Sequence, residues 1–171
     1  NGQYYAEDAD DPLPDLQVMP VYGMQQVRRE IRDLLRAIPD KLTTVLEIGL
    51  GHFGSTHVMW RMIAEQVYTI EQNHTRVNDF SLRTEQVFGK SYGNDGHSHF
   101  AIGISQDPAT VKKIYNHINH VDLLFIDGDH SYQSVLCDWL LYEPLVRPGG
   151  IVVFDDILYN TLEDRKSTRL N

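Results

Sequence analysis

Apolar residues along the chain recur in two alternating periods. Val27, Ile31, Leu34 and Leu35 fall at helical spacing and predict an amphipathic helix over residues 24–37, closed by Pro39. Short β-branched runs then alternate with further helical patterns. Residues 43–48 predict a first strand and 55–65 a helix; 67–70 predict a second strand and 75–88 another helix. Residues 90–99, rich in Gly, Ser, Asn and His, read as a loop. A third strand is expected over 100–104, then a helix over 108–117 opened by Pro108, where a missing N–H costs nothing. The series ends with a strand over 121–126, a helix over 132–145 and a fifth strand over 151–154, after the turn Pro148-Gly149-Gly150.

Strands that alternate with helices pair in parallel, because each crossover returns the chain to the same end of the sheet. The pattern therefore predicts a doubly wound α/β fold: a mostly parallel, Rossmann-like sheet with helices on both faces. Residues 1–22 are polar and contain prolines, and read as an irregular arm before a single domain over 23–163. Residues 164–171 turn abruptly basic and lose any hydrophobic period. They read either as a disordered tail or as the translation of an adapter oligonucleotide, and are set aside as non-native. Only Ile157 to Glu163 separate Asp156 from that tail, so the sheet is expected to be truncated after its fifth strand, with that edge unpaired.

Composition narrows the function classes. A chain of 171 residues supports one substantial core. Its longest apolar runs, Val121 to Ile126 and Ile151 to Phe154, are far too short to span a bilayer. The amino terminus is acidic, without a basic-then-apolar leader, and the one cysteine, Cys137, cannot form an internal disulfide. A reducing, cytoplasmic setting is expected, with Cys137 packed in the core among Val135, Leu136, Trp139 and Leu140. A net charge of −9 argues against a nucleic-acid surface, which needs clustered Lys and Arg. The expected partner is a small-molecule acceptor, with neither nucleic acid nor membrane. His97, His99, His117 and His120 show no zinc-ligand spacing.

The first strand runs into Gly49-Leu50-Gly51-His52-Phe53-Gly54, and Ser55 and Thr56 then open a helix. Glycines at this junction let the backbone turn sharply and approach a ligand closely, and the helix amino terminus offers N–H groups to an anion. Glu71 ends the second strand, where a carboxylate can accept both hydroxyls of a ribose. An adenosine-type cofactor follows, with nicotinamide dinucleotide and S-adenosylmethionine (SAM) both open at this point. Glu47, just before the glycines, favours SAM: a carboxylate repels a pyrophosphate but attracts an ammonium and a sulfonium.

At the acceptor side, Asp127, Asp155 and Asp156 stand at the carboxyl ends of the fourth and fifth strands, the edge where open α/β sheets bind ligands. Clustered acids repel unless a cation lies between them, and an all-oxygen set suits Mg²⁺. His130, three positions past Asp127, can take a hydroxyl proton near neutral pH. Asp129 is expected beside the cofactor.

These residues resemble a family. Val45 to Thr56 is similar to motif I of class I SAM-dependent methyltransferases, and Tyr68-Thr69-Ile70-Glu71-Gln72-Asn73 to their acid-ended second strand. Gly103-Ile104-Ser105-Gln106-Asp107 resembles the adenine-side loop of the catechol O-methyltransferase group. Val121 to His130 and Arg147 to Asp156 resemble macrocin-type O-methyltransferases and the related cephalosporin-hydroxylase-like proteins. The resemblance spans roughly residues 40–157. It implies an O-methyltransferase acting on a small-molecule hydroxyl with Mg²⁺-assisted deprotonation. Gly49 and Gly51 would lie along the methionine part of SAM, with Glu47 near its ammonium, Ser55 or Thr56 at its carboxylate, and Gly54 a further cofactor-binding residue. Glu71 would hold the ribose, and Ser105 with Gln106 the adenine edge. Asp127, Asp155 and Asp156 would be the metal ligands and His130 the base. The competing readings are a nicotinamide-dependent oxidoreductase on the same fold and a non-catalytic SAM-binding relative.

Overall fold

A computed structural model describes residues 28–38, 42–89 and 91–156; the expected arm (1–22), residues 24–27 of the first helix and the tail (164–171) lie outside them. The elements in order are α1 (Arg28–Ala37), β1 (Leu42–Ile48), α2 (Ser55–Ile63), β2 (Ala64–Glu71), α3 (His74–Phe88), β3 (Ser98–Ile102), α4 (Pro108–His117), β4 (Val121–Ile126), α5 (Tyr132–Tyr142) and β5 (Val146–Phe154). All strand pairs are parallel, and the sheet order is β3-β2-β1-β4-β5. This is the doubly wound α/β architecture that the alternating pattern predicts.

Pleating splits the apolar residues of each strand between two layers. Val45, Val67, Leu123 and Phe125 point to one face, beneath Ile31 of α1 and Met59 and Trp60 of α2. Leu46, Ile48, Ile70, Leu124 and Ile126 point to the other, beneath Ile114 of α4 and Tyr142 of α5. With helices over both faces, β4 is buried at every position, which explains the unbroken apolar run Leu123 to Ile126. No helix among the described residues is long and apolar enough to cross a membrane.

Four boundaries differ from the sequence reading, each for a local reason. Strand β2 begins at Ala64, within the expected helix, because Ala64 already pairs with Leu42 while Arg61 donates to the Ala64 carbonyl at 3.0 Å. Strand β3 lies two residues earlier than expected. Asp95 closes the preceding loop by accepting the N–H groups of His97 and Ser98 at 2.9 and 2.8 Å, and Gly103, at φ +150°, ends the strand. Helix α5 stops at Tyr142 because Glu143, Pro144 and Leu145 tighten into a 3₁₀ turn. Strand β5 then starts at Val146 and carries the expected Pro-Gly-Gly turn as an irregularity: Val121 faces Val146 but Leu123 faces Ile151.

Asp122 of β4 fastens that irregularity. One carboxylate oxygen accepts the N–H groups of Thr43 and Thr44 in β1 at 2.7 and 2.8 Å, and the other accepts from Arg147 Nε of β5. Burial alone would raise the Asp122 pKa, but the Arg147 guanidinium and the two amides outweigh it and hold the group below its ordinary value. Its stabilisation is therefore present at neutral pH and lost as pH falls through that depressed value. We expect Asp122→Ala to cost about 1–2 kcal/mol in denaturant unfolding at pH 7, by removing the acceptor of two partly buried amides and the partner of a guanidinium. The gap from the parent protein should shrink on acidification; a constant gap would show that the charge contributes nothing.

Candidate active site

Four loops leave the carboxyl edge of the sheet side by side. Gly49 N donates to Ile70 O (2.9 Å), Gly103 N to Glu71 O (3.0 Å), Asp127 N to Ile48 O (2.9 Å) and Asp155 N to Ile126 O (3.0 Å), so the ladder continues one residue past each strand. The chain winds outward from β1 to β3 and then crosses back to β4, which reverses direction between β1 and β4. A crevice opens where the loops diverge. There a cavity of about 660 Å³ is lined by residues 48–56, 70–72, 76, 103–106 and 127–130.

The glycine turn has distinct local causes. Gly49 lies at φ +95°, and a Cβ there would sit 2.1 Å from the carbonyl oxygen of Asp127, so no other residue lets β1 and β4 approach this closely. A Cβ on Gly54 would strike the Phe80 ring at 2.3 Å. Gly51 has no neighbour within 4 Å of its missing Cβ and borders the cavity. Gly54 caps α2 without a side-chain hydrogen bond, and the first backbone bond of the helix is Val58 N to Gly54 O. The amino terminus of α2, at Ser55 and Thr56, borders the cavity.

Glu71 is buried at the end of β2 and borders the cavity. Its Oε2 accepts Leu50 N at 3.1 Å and Oε1 accepts Asn73 N at 2.8 Å, with Arg76 Nη1 3.6 Å away. The carboxylate therefore shapes the glycine turn, and its remaining lone pairs can still accept two hydroxyls. Ser105 and Gln106 form another part of the wall. The Ser105 carbonyl accepts from Tyr142 Oη at 2.6 Å, and Gln106 Nε2 donates to Asp138 Oδ1 at 2.5 Å.

Asp127 and His130 share the far wall, with His130 Nε2 3.9 Å from Asp127 Oδ1. Burial, then the charge of Asp155 and that of Glu47, push the Asp127 carboxyl up to about 9, and Asp127 and Asp155 share a hydrogen bond. Two carboxyl groups this close hold a proton between them unless a cation replaces it. Asp156 is exposed and takes a left-handed backbone at φ +53°. Among the described residues no three Asp, Glu, His or Cys side chains converge as a metal site. β4 and β5 bring Asp127 and Asp155 together, and the charge of Asp156, on the turn after β5, also acts on Asp127. Asp129 also borders the cavity, but its carboxylate accepts Ser131 N (3.0 Å), Ser131 Oγ (3.2 Å) and Ser134 Oγ (2.8 Å), which starts α5.

Glu47 is wholly buried and is not among the residues that border the cavity. It ends a buried polar chain instead. Thr69 Oγ1 donates to Glu47 Oε2 at 2.7 Å, and a hydroxyl has one proton, so Thr69 must accept from His57 Nδ1 at 2.8 Å. His57 Nε2, 3.0 Å from Ser98 Oγ, is then the acceptor of that hydroxyl. The imidazole stacks on Phe100 with ring centroids 4.9 Å apart. Glu47 Oε1 has no protein partner.

His57, Arg76 and Asp138 were not singled out by the sequence reading. Asp138 had the clearest signal, a lone acid within the apolar helical pattern of Val135, Leu136, Trp139 and Leu140. His57 sits in a short helix whose burial depends on three strands, and nothing local marks it. Because the Asp127 pKa is raised, its favourable contribution to stability is complete only below the ordinary carboxylate range and is lost as pH climbs through about 9. We expect Asp127→Asn to stabilise the ligand-free protein at pH 8 by more than about 1 kcal/mol, with the gain vanishing towards pH 4. Thermal melts across that range check it, and a variant less stable than the parent at pH 8 would refute the assignment.

Comparison with known proteins places the chain. A family model described as a methyltransferase domain matches residues 46–157, well over half of the sequence. A protein of Acanthamoeba polyphaga mimivirus is 58% identical over 38 residues, 22% of this chain and 17% of that protein. The Streptomyces olivaceus protein named 8-demethyl-8-alpha-L-rhamnosyl tetracenomycin-C 2'-O-methyltransferase is 24% identical over 126 residues, 69% of this chain and 29% of its own length. The chain thus spans less than a third of either curated relative. Among solved structures, an O-methyltransferase from Bacillus cereus in complex with S-adenosylhomocysteine (SAH) superposes with a TM-score of 0.61 at 18% identity, covering 91% of this chain and 71% of that one. The MycE methyltransferase of mycinamycin biosynthesis, in complex with Mg and SAH, gives 0.60 at 21% identity, covering 85% and 36%. The family match begins in β1, one residue before Glu47, and runs through the glycine turn, Glu71, Gln106 and both paired aspartates, and the chain belongs to this methyltransferase domain family.

Proposed function

We propose that the cleft binds SAM and serves methyl transfer to a small-molecule hydroxyl. The observation that carries this reading is the cavity at the β1/β4 reversal, which brings together the open glycine turn, the uncapped amino terminus of α2 and Glu71. Its volume suits a ligand of this size. The amino terminus of α2, with the Ser55 and Thr56 side chains, would take the methionine carboxylate. Glu71 would accept the ribose hydroxyls, and Ser105 with Gln106 would meet the base. Glu47 acts from below, as a negative charge that favours a cationic ligand without touching it. A bound SAM supplies an electrophilic methyl group.

The acceptor side fits a divalent cation to the extent of two ligands. Asp127 and Asp155 form a like-charged pair that a hard cation would relieve, and Mg²⁺ commonly takes only one or two carboxylates and keeps several waters. Held there, Mg²⁺ would act as a Lewis acid towards an acceptor hydroxyl. His130, beside Asp127 and open to the cavity, would take the hydroxyl proton. The remainder of the work is alignment of donor and acceptor within one crevice. The Streptomyces relative, by its name a 2'-O-methyltransferase of a rhamnosyl compound, supports a sugar hydroxyl as the acceptor class.

Calorimetric titration with SAH, with and without Mg²⁺ and with NAD as the control, tests the reading. We expect saturable SAH binding, no response to NAD, and at least a roughly tenfold loss of affinity in Glu71→Ala, where two ligand hydroxyls and the Leu50 amide lose their acceptor. A folded sample that binds NAD but not SAH would reverse the assignment.

A further inference from the structure

We propose that Asp138 sets the nucleobase specificity of the cleft by fixing which end of the Gln106 side-chain amide faces the ligand. The inference rests on the S-adenosyl reading above and extends it to a residue that does not border the cavity.

Asp138 lies on α5, in the layer beneath the wall that holds Ser105 and Gln106. Its side chain is 1% exposed, and its Oδ1 accepts Gln106 Nε2 at 2.5 Å. An ionised carboxylate only accepts, so it can engage the nitrogen of the amide and never the oxygen. Burial raises the Asp138 pKa above its ordinary value, and the hydrogen bonds with Ser105 and Gln106 offset part of that rise. With Nε2 held from behind, Gln106 is left to present Oε1, and Gln106 borders the cavity. A carbonyl oxygen there accepts from the exocyclic amine of adenine. It opposes the carbonyl that hypoxanthine carries at the same position, since two acceptors facing each other leave both unpaired. A glutamine free to turn over would serve either base, so the discrimination resides in Asp138 rather than in Gln106 alone.

A second observation points the same way. Asp138 Oδ2 is buried without a partner, and the position a Cβ would take on Gly128 is only 3.7 Å from it. Gly128 belongs to the loop between β4 and α5, which borders the same cavity. A buried, half-satisfied carboxylate destabilises a fold, and an apolar residue would complete the helix packing better. Its place directly behind two cavity loops fits a positioning role in the ligand site.

The test compares affinities for SAH and for its deaminated analogue, S-inosylhomocysteine, by calorimetry. The parent protein should prefer SAH by roughly tenfold or more. Asp138→Leu should bring the two affinities to within about threefold, and Asp138→Asn should narrow the preference too, because its amide can accept from Nε2 or donate to Oε1. Gln106→Ala should also level the two ligands, and adding Asp138→Leu to it should change the ratio no further. A Leu variant that weakens both ligands equally, with the ratio preserved, overturns the proposal and leaves Asp138 a structural residue. Should Asp138→Leu fail to fold, the SAH complex of the parent protein decides: the Gln106 amide within hydrogen-bond distance of the adenine amine supports the assignment, and an amide turned away overturns it. Tight binding with no preference sinks the role of Asp138 alone, while absence of SAH binding by the parent sinks the S-adenosyl reading with it.

Discussion

The site depends on how closely two strands can come together at one point. The order of the sheet reverses between β1 and β4, and the carbonyl of Asp127 stands where a side chain on Gly49 would have to go. Without a Cβ at residue 49, the β1 loop can turn at φ +95° while its amide stays bonded to Ile70 O and the Asp127 amide stays bonded to Ile48 O. From that contact the rest follows geometrically. The glycine turn is carried over the end of β2, where Glu71 receives the Leu50 amide, and α2 is delivered with its first turn facing the crevice. One backbone approach thus places an anion-seeking helix terminus, a carboxylate and the aspartate that follows β4 around a single cavity.

The floor and walls of that cavity carry acids that a fold selected for stability alone would not retain. Asp127 and Asp155 share a hydrogen bond, Glu47 lies wholly buried behind them, and Asp138 is buried behind Gln106. Two of these acids have an oxygen with no protein partner, Glu47 Oε1 and Asp138 Oδ2. Desolvating a carboxylate is expensive, and like charges add to the cost. The buried chain from Ser98 through His57 and Thr69 offsets part of it at Glu47 by fixing the orientation of every proton along the way. Strain of this kind collects on one side of the sheet edge, where a cationic ligand or a divalent cation would relieve it.

Much of this was legible in the sequence, and what was not has identifiable causes. Alternating periods suffice for the doubly wound sheet because a run such as Leu123 to Ile126 can be satisfied only when helices cover both faces. The glycine spacing and the acids at strand ends place the crevice, since topology fixes where those ends lie. Alternation assigns the Glu47 side chain to a face but does not say how deep it lies; Thr69 and His57 hold it in a buried polar chain. Nor does the sequence announce the left-handed backbone of Asp156. His57 and Asp138 act through partners 12 to 41 positions away, a relationship that no local pattern records.

Strand β4 shows how one environment can give the same side chain opposite uses. Asp122 and Asp127 stand at its two ends, and burial raises the pKa of both. At the amino end Arg147 and two amides of β1 surround Asp122, the charged form wins, and the acid staples three strands together. At the carboxyl end the neighbours are Asp155 and Glu47, and the proton is retained. Burial reinforced by charges of the same sign raises Asp127, whereas an opposite charge and two amide hydrogen bonds lower Asp122. The parallel sheet enforces this division of labour, because its loops at one end close the fold while those at the other diverge into the crevice. An acid with a cation already supplied by the fold has no need of a ligand. An acid facing other acids keeps a raised pKa, and here it borders the crevice at the carboxyl edge of the sheet.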